Sequence, residues 1–135
     1  MSGFKWAWNE GGGAPIIQTF VVKDTTVLTE FCIVSFDSGE VDLAATNDTE
    51  LLGIALEAVD NTDDGLSVRV LMNNDSVFAV ADANARTVGD TLDIGSGALT
   101  VAASSSVDLV VVRTSSATEP TYVKFAQGER WIGDS

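Results

Sequence analysis

Short stretches of alternating apolar and polar residues, punctuated by turn-forming residues, recur at roughly 8–12-residue spacing from Pro15 to Ala126. Such stretches have one apolar face each, so they must lie side by side as strands and close a core between them, as a sandwich or barrel. The alternation is clearest in Leu66, Val68, Val70 and Met72, with Ser67 and Arg69 between them. Tyr122, Lys124 and Ala126 likewise alternate with Val123 and Phe125. Val, Ile and Thr supply 36 residues, all after Ala14, and β-branched side chains suit a pleated surface.

This pattern predicts strands at 15–22, 31–36, 41–44, 51–58, 66–72, 77–80, 91–94, 98–101, 107–114 and 121–126. The unbroken Val110-Val111-Val112 run predicts a strand buried on both faces. Asp37-Ser38-Gly39-Glu40 and Gly95-Ser96-Gly97 read as hairpin turns, and Asn61–Gly65 and Asn73-Asn74-Asp75 supply residues that tolerate positive φ. Helical signal is confined to Ala81–Val88, enough for a turn or two before Gly89. The chain of 135 residues is the length of one domain with its own core.

The first 14 residues differ from the rest. Phe4, Trp6 and Trp8 alternate with small or polar residues, and Gly11-Gly12-Gly13 follows. Adjacent glycines are maximally free in φ and ψ. The expectation is a flexible N-terminal arm over 1–14 joined to a single β domain over 15–135.

Charge excludes several functions. Seven basic residues face 20 acidic ones, for a net charge of −13, and eleven acids with no base lie between Asp24 and Val68. Nucleic-acid binding depends on Lys and Arg against phosphates, and anionic membranes demand the same cations, so neither is expected as a partner. Acidity of this kind makes a soluble, self-repelling surface. No apolar run approaches a membrane span, and the start lacks a signal-peptide core, so secretion by that route is not expected.

The chemical inventory is thin, and no enzyme, metal or cofactor is expected. There is no histidine, which removes imidazole bases and ligands. Cys32 is the lone cysteine and sits among Phe31, Ile33 and Val34, which marks it as a small core residue and not a nucleophile. Asp60, Thr62, Asp64 and Gly65 fit a calcium loop loosely, but its twelfth position is Leu71, which cannot ligate, so an acidic turn is the simpler reading. Carboxylate pairs abound, yet a glycosidase also needs an aromatic-lined cleft, and no tryptophan lies between Pro15 and Arg130. Gly11-Gly12-Gly13 lacks the Lys and Ser or Thr of a phosphate loop.

The tryptophans carry the most information. A Trp buries on the order of 150–250 Å², so large aromatics on an arm invite docking. Phe4, Trp6, Trp8 and, near the C-terminus, Trp131 are therefore the candidate partner-binding residues. The arm either folds back on its own body or adds to a neighbour's sheet edge.

From Leu51 to Phe125 the chain resembles the small capsid decoration, or cement, proteins of tailed bacteriophages, which are similar in architecture to the lambda head-decoration protein. The resemblance rests on ordered pieces: Leu52-Gly53-Ile54-Ala55, an acidic turn into Leu66-Ser67-Val68-Arg69-Val70, then Val77-Phe78-Ala79-Val80. Val88-Gly89-Asp90-Thr91-Leu92, Ala98-Leu99-Thr100-Val101, Val107–Arg113 and Tyr122-Val123-Lys124-Phe125 complete it. Many relatives turn with Gly after the Val-x-Val strand, where this chain has Met72-Asn73-Asn74-Asp75. The resemblance implies an all-β body, a small β-barrel or β-tulip, on the outer surface of an icosahedral capsid. It further implies a homotrimer that binds the major capsid protein and stabilises the expanded shell, with no catalytic residues. A receptor- or glycan-binding module of a phage tail or fibre is the alternative. On this reading, removing residues 1–14 leaves the body folded and abolishes shell binding.

Overall fold

A computed structural model describes residues 3–37, 39–45, 50–62, 65–72, 76–103 and 108–126. Among them the chain forms β1 (Phe4–Asn9), β2 (Ile17–Val21), β3 (Val27–Leu28), β4 (Ile33–Asp37), β5 (Glu40–Leu43), β6 (Leu51–Ala55) and β7 (Val59–Asp60). It continues with β8 (Ser67–Met72), β9 (Ser76–Val80), β10 (Thr91–Ile94), β11 (Val101–Ala103), β12 (Leu109–Arg113) and β13 (Thr121–Phe125). One 3-10 turn, Ser96–Ala98, joins β10 to β11. The fold is all-β and its sheets are antiparallel, as the alternation demands.

The strands segregate into two main sheets. One has the order β2-β8-β6-β4-β5, the other β1-β9-β13-β12-β10-β11, and β3 pairs with β7 as a short ribbon. The first sheet curls until its two edges meet. Val22, just past β2, bridges Val41 of β5, and the Lys23 N–H donates to the Val41 carbonyl. That contact makes the sheet a small barrel and removes both exposed edges over that stretch.

The core is continuous between the two sheets. Ile33, Val34, Leu51, Leu52, Ile54, Val68 and Val70 meet Phe78, Leu92, Leu109, Val111 and Val123 in one cluster. β6, the middle strand of that sheet, is buried along its whole length. The Val110-Val111-Val112 run is not the doubly buried strand: Val111 is buried, whereas Val110 and Val112 stay half-buried. That strand has one face turned away from the barrel, and a register shift lies between Val111 and Arg113.

Asn61 fastens the ribbon to the barrel. Its Nδ2 donates to the Val22 and Lys23 carbonyls at 3.0 and 3.1 Å, and its Oδ1 accepts the Leu66 N–H at 2.9 Å. It is fully buried and fully used, so Asn61 is a piece of framework.

Three expectations shift. Ala81–Val88 forms no helix; Arg86 bridges Ser115 there, and Asp82 turns back onto the Asn84 N–H and Arg86. The strand expected at 98–101 begins three residues later, because Gly97 and Ala98 adopt φ of 64° and 57° to make the hairpin turn. Most significantly, Phe4–Asn9 is an edge strand of the second sheet, paired with β9 and not free of the body.

Candidate interaction surface

The N-terminal strand is held at its start by backbone. The Gly3 N–H donates to the Leu99 carbonyl at 3.2 Å and the Phe4 N–H to the Phe31 carbonyl at 2.9 Å. Gly3 has φ +102°, and a Cβ there would stand 2.5 Å from the Phe31 Cβ, so only glycine lets the chain enter this close. Phe4 then drops into the core, with no exposed surface. As a partner-binding residue Phe4 is corrected: its ring is part of its own domain.

The period-2 reading places Phe4, Trp6 and Trp8 on one face. A β-bulge at Ala7 breaks that parity. Phe4 lies opposite Val80 and Trp6 opposite Phe78, but Trp8 lies opposite Val77. One extra residue flips the strand's remaining side chains to the other face. Trp6 and Trp8 are thus 36% and 37% exposed on opposite sides of the same edge strand. The Trp6 indole N–H donates to Asn9 Oδ1 at 2.9 Å, and Asn9 in turn accepts from the Ser76 hydroxyl and donates to the Ala14 carbonyl. Trp131 lies outside the described residues.

Trp8 completes a surface that the tryptophans alone did not reveal. Its ring is 5.3 Å from that of Tyr122 on β13, and the Arg113 guanidinium lies 5.4 Å over the Tyr122 ring. The pairing runs in a row across four strands: Lys5, Ala79, Tyr122, Arg113. Lys124 stands two residues from Tyr122 on the same face and meets Glu10 at 3.4 Å. Val77 is fully buried yet outside the central core, because this layer covers it from the far side. The signal for these partners was in the sequence: Tyr122 and Lys124 alternate with core residues Val123 and Phe125.

The remaining candidates are framework. Cys32 is buried, and desolvation pushes its thiol up to about 11, so it stays a protonated thiol at neutral pH. Asp60 accepts the Thr62 hydroxyl and the Thr62 N–H, which hold its carboxyl below the usual range. Asp63 and Asp64 lie outside the described residues. No group of three His, Cys, Asp or Glu side chains among the described residues is arranged to hold a metal ion.

One buried ion pair stands out. The Asp82 side chain is 4% exposed, and its Oδ2 takes the Arg86 Nε–H at 2.6 Å and the Thr121 hydroxyl at 3.2 Å. Desolvation pushes this carboxyl up, but hydrogen bonds from Arg86, Asn84 and Thr121 and the Arg86 charge outweigh it, so its pKa falls below the ordinary value. A depressed carboxyl contributes stability in full above its unfolded pKa of about 3.9 and loses it as pH falls through the folded value. Asp82→Asn is therefore expected to cost about 2–3 kcal/mol at pH 7, somewhat under the usual loss for a broken buried pair because Arg86 keeps some water. Denaturant melts should show the gap to the parent chain closing toward pH 2; a gap independent of pH would refute the assignment.

The fold and surface define a class: a two-sheet antiparallel β domain, one sheet curled into a barrel, with an aromatic and cationic layer on the outside of the other. No protein-family model and no curated protein matches the sequence. Among solved structures the chain is similar to the N base of head fiber gp8.5 of bacteriophage phi29, with a TM-score of 0.56 and 17% identity. The likeness covers 84% of this chain and 98% of that one, and at this identity it is a likeness of fold.

Proposed function

We propose that this chain is a structural protein of a phage virion that sits on the outer face of the capsid and stabilises the shell. The observation that carries the reading is the likeness to the head fiber base, which spans nearly all of that domain. The sequence resemblance to capsid decoration proteins, carried by Leu51 to Phe125, points to the same place. The chemistry is compatible: the described residues hold a protonated, buried thiol and ion pairs that serve the fold. A protein that binds the assembled shell and not its loose subunits stabilises assembly by mass action, and many identical contacts add by avidity. A net charge of −13 keeps free copies soluble and away from packaged DNA. No catalytic step is part of this reading.

The deciding measurement is the number of copies per purified virion, set against the major shell protein, together with the melting temperature of shells with and without it. Near-equimolar copies and a raised shell melting temperature are expected. The neighbour's place in a head fiber favours a second reading, a fibre or tail module, and a handful of copies with unchanged shell stability would select it. Absence from virions would overturn both.

A further inference from the structure

The edge of a β-sheet carries unpaired backbone groups, and folded proteins guard such edges with charges, bulges or short strands. The two main sheets guard three of their four edges in this way. β1 is broken by the bulge at Ala7 and carries Lys5. β5 carries Glu40 and Asp42. β11 is three residues long. β2 is the exception. It pairs with β8 in unbroken register, and no charged residue, glycine or proline lies between Ile16 and Val22.

The register fixes which backbone groups of β2 are free. The Met72 N–H donates to the Ile16 carbonyl at 2.8 Å, and the Val22 N–H to the Leu66 carbonyl at 3.0 Å. In an antiparallel pair alternate residues bond to the partner strand. Ile16, Gln18, Phe20 and Val22 therefore face β8, and Ile17, Thr19 and Val21 present their N–H and C=O groups to the other side. Among the described residues no strand pairs with that side over Ile17–Val21. Lys23 is the next residue in the series, and its N–H donates to the Val41 carbonyl of β5. The edge thus takes a strand at Lys23 and lacks one from Val21 back to Ile17, because β5 begins only at Glu40. The side chains divide likewise. Phe20 packs on Phe36 with ring centroids 5.9 Å apart, while Ile17 and Val21 are 49% and 50% exposed.

We propose that the β2 edge at Ile17–Val21 is a docking site for an extended, basic segment of a different protein, which adds a strand along it. Donors and acceptors that recur at every second residue are matched by the main chain of another extended strand, and Ile17 and Val21 offer its alternate side chains an apolar face. Charge selects the kind of strand. Eleven acids and no base lie between Asp24 and Val68, and the chain as a whole carries −13. Lys23 is held by Asp37 and Asp42, and Arg69, opposite Thr19 on β8, by Glu57. A second copy would bring like charge to this edge, whereas a segment bearing Lys or Arg brings the opposite charge. The inference goes beyond the virion reading and does not depend on it, since it is measured on the purified chain.

The test is hydrogen exchange of individual amides, followed by NMR on the full chain with a synthetic strand peptide in which valine alternates with lysine or threonine. With this peptide the Ile17, Thr19 and Val21 amides are expected to exchange about tenfold more slowly, while Gln18 and Phe20, already bonded to β8, change little. The protection should fall as salt is added. A peptide with glutamate in place of lysine, and a lysine peptide N-methylated at alternate amides, should give none. Ile17→Lys/Val21→Lys sets like charge against the lysine peptide at two exposed positions and should abolish protection, with circular dichroism and melting curves to show that the variant stays folded. Should it unfold, the N-methylated peptide makes the same distinction on the parent chain. Unchanged exchange at Ile17, Thr19 and Val21, equal protection by either control peptide, or slowing spread evenly along β2 would each overturn the proposal.

Discussion

Gly53→Ala is expected to destabilise the domain by on the order of 4 kcal/mol, enough to unfold a marginal protein. Gly53 lies in the middle of β6, opposite Met72 on one side and Val34 on the other. A Cβ there would stand 2.0 Å from the Leu71 carbonyl oxygen and 2.9 Å from its carbon. Both are backbone atoms of a paired strand, so no rotamer change relieves the clash; β8 itself must move. β6 is buried from Leu51 to Ala55, which leaves no solvent side toward which it can shift. Gly39→Ala is the informative contrast. Gly39 has φ +90° but nothing within 4 Å of its Cβ position, so its cost is turn strain alone, about 1–2 kcal/mol. Urea unfolding of the two variants measures the difference, and equal losses would show that the close approach at β6 is not limiting.

Phe4→Ala is the second large effect, with an expected loss of about 3–4 kcal/mol, as for other fully buried phenylalanines. The ring has no exposed surface, and its strand contributes the edge beside β9. Trp6→Ala, at a ring more than a third exposed, is expected to cost about 1 kcal/mol. Thermal melts of both variants make the comparison, and a Phe4→Ala loss no larger than that of Trp6→Ala would refute the placement of β1. This changes how shell binding must be tested. Removing residues 1–14 takes Phe4 out of the core and bares β9 as a new edge, so loss of binding by a truncated chain would report unfolding and docking together. Point changes at Trp8, Arg113 and Lys124 leave the core in place and separate the two.

Much of the barrel was legible from local pattern. The Leu66–Met72 alternation became β8 with Val68 and Val70 inside, and the Asp37–Glu40 turn became the β4–β5 hairpin. These signals are local: a period of two and a turn residue each express themselves within a few bonds. The short β3–β7 ribbon was not legible, because two-residue strands carry no period. Its presence depends on Asn61 reaching carbonyls 38 and 39 positions earlier in the chain.

The N-terminal aromatics divide the two kinds of information most clearly. The sequence by itself marked Phe4, Trp6 and Trp8 as the residues with the most surface to bury, and their flanking glycines as a joint. It also excluded imidazole chemistry and made the surface acidic. Only the tertiary structure decided which aromatic is core and which is surface. The pairing of β1 with β9 lowers Phe4 between the sheets, and the bulge at Ala7 turns Trp8 toward Tyr122. Register and bulge position are properties of two strands in contact, set by the shape of a core assembled from distant segments, and no single segment encodes them.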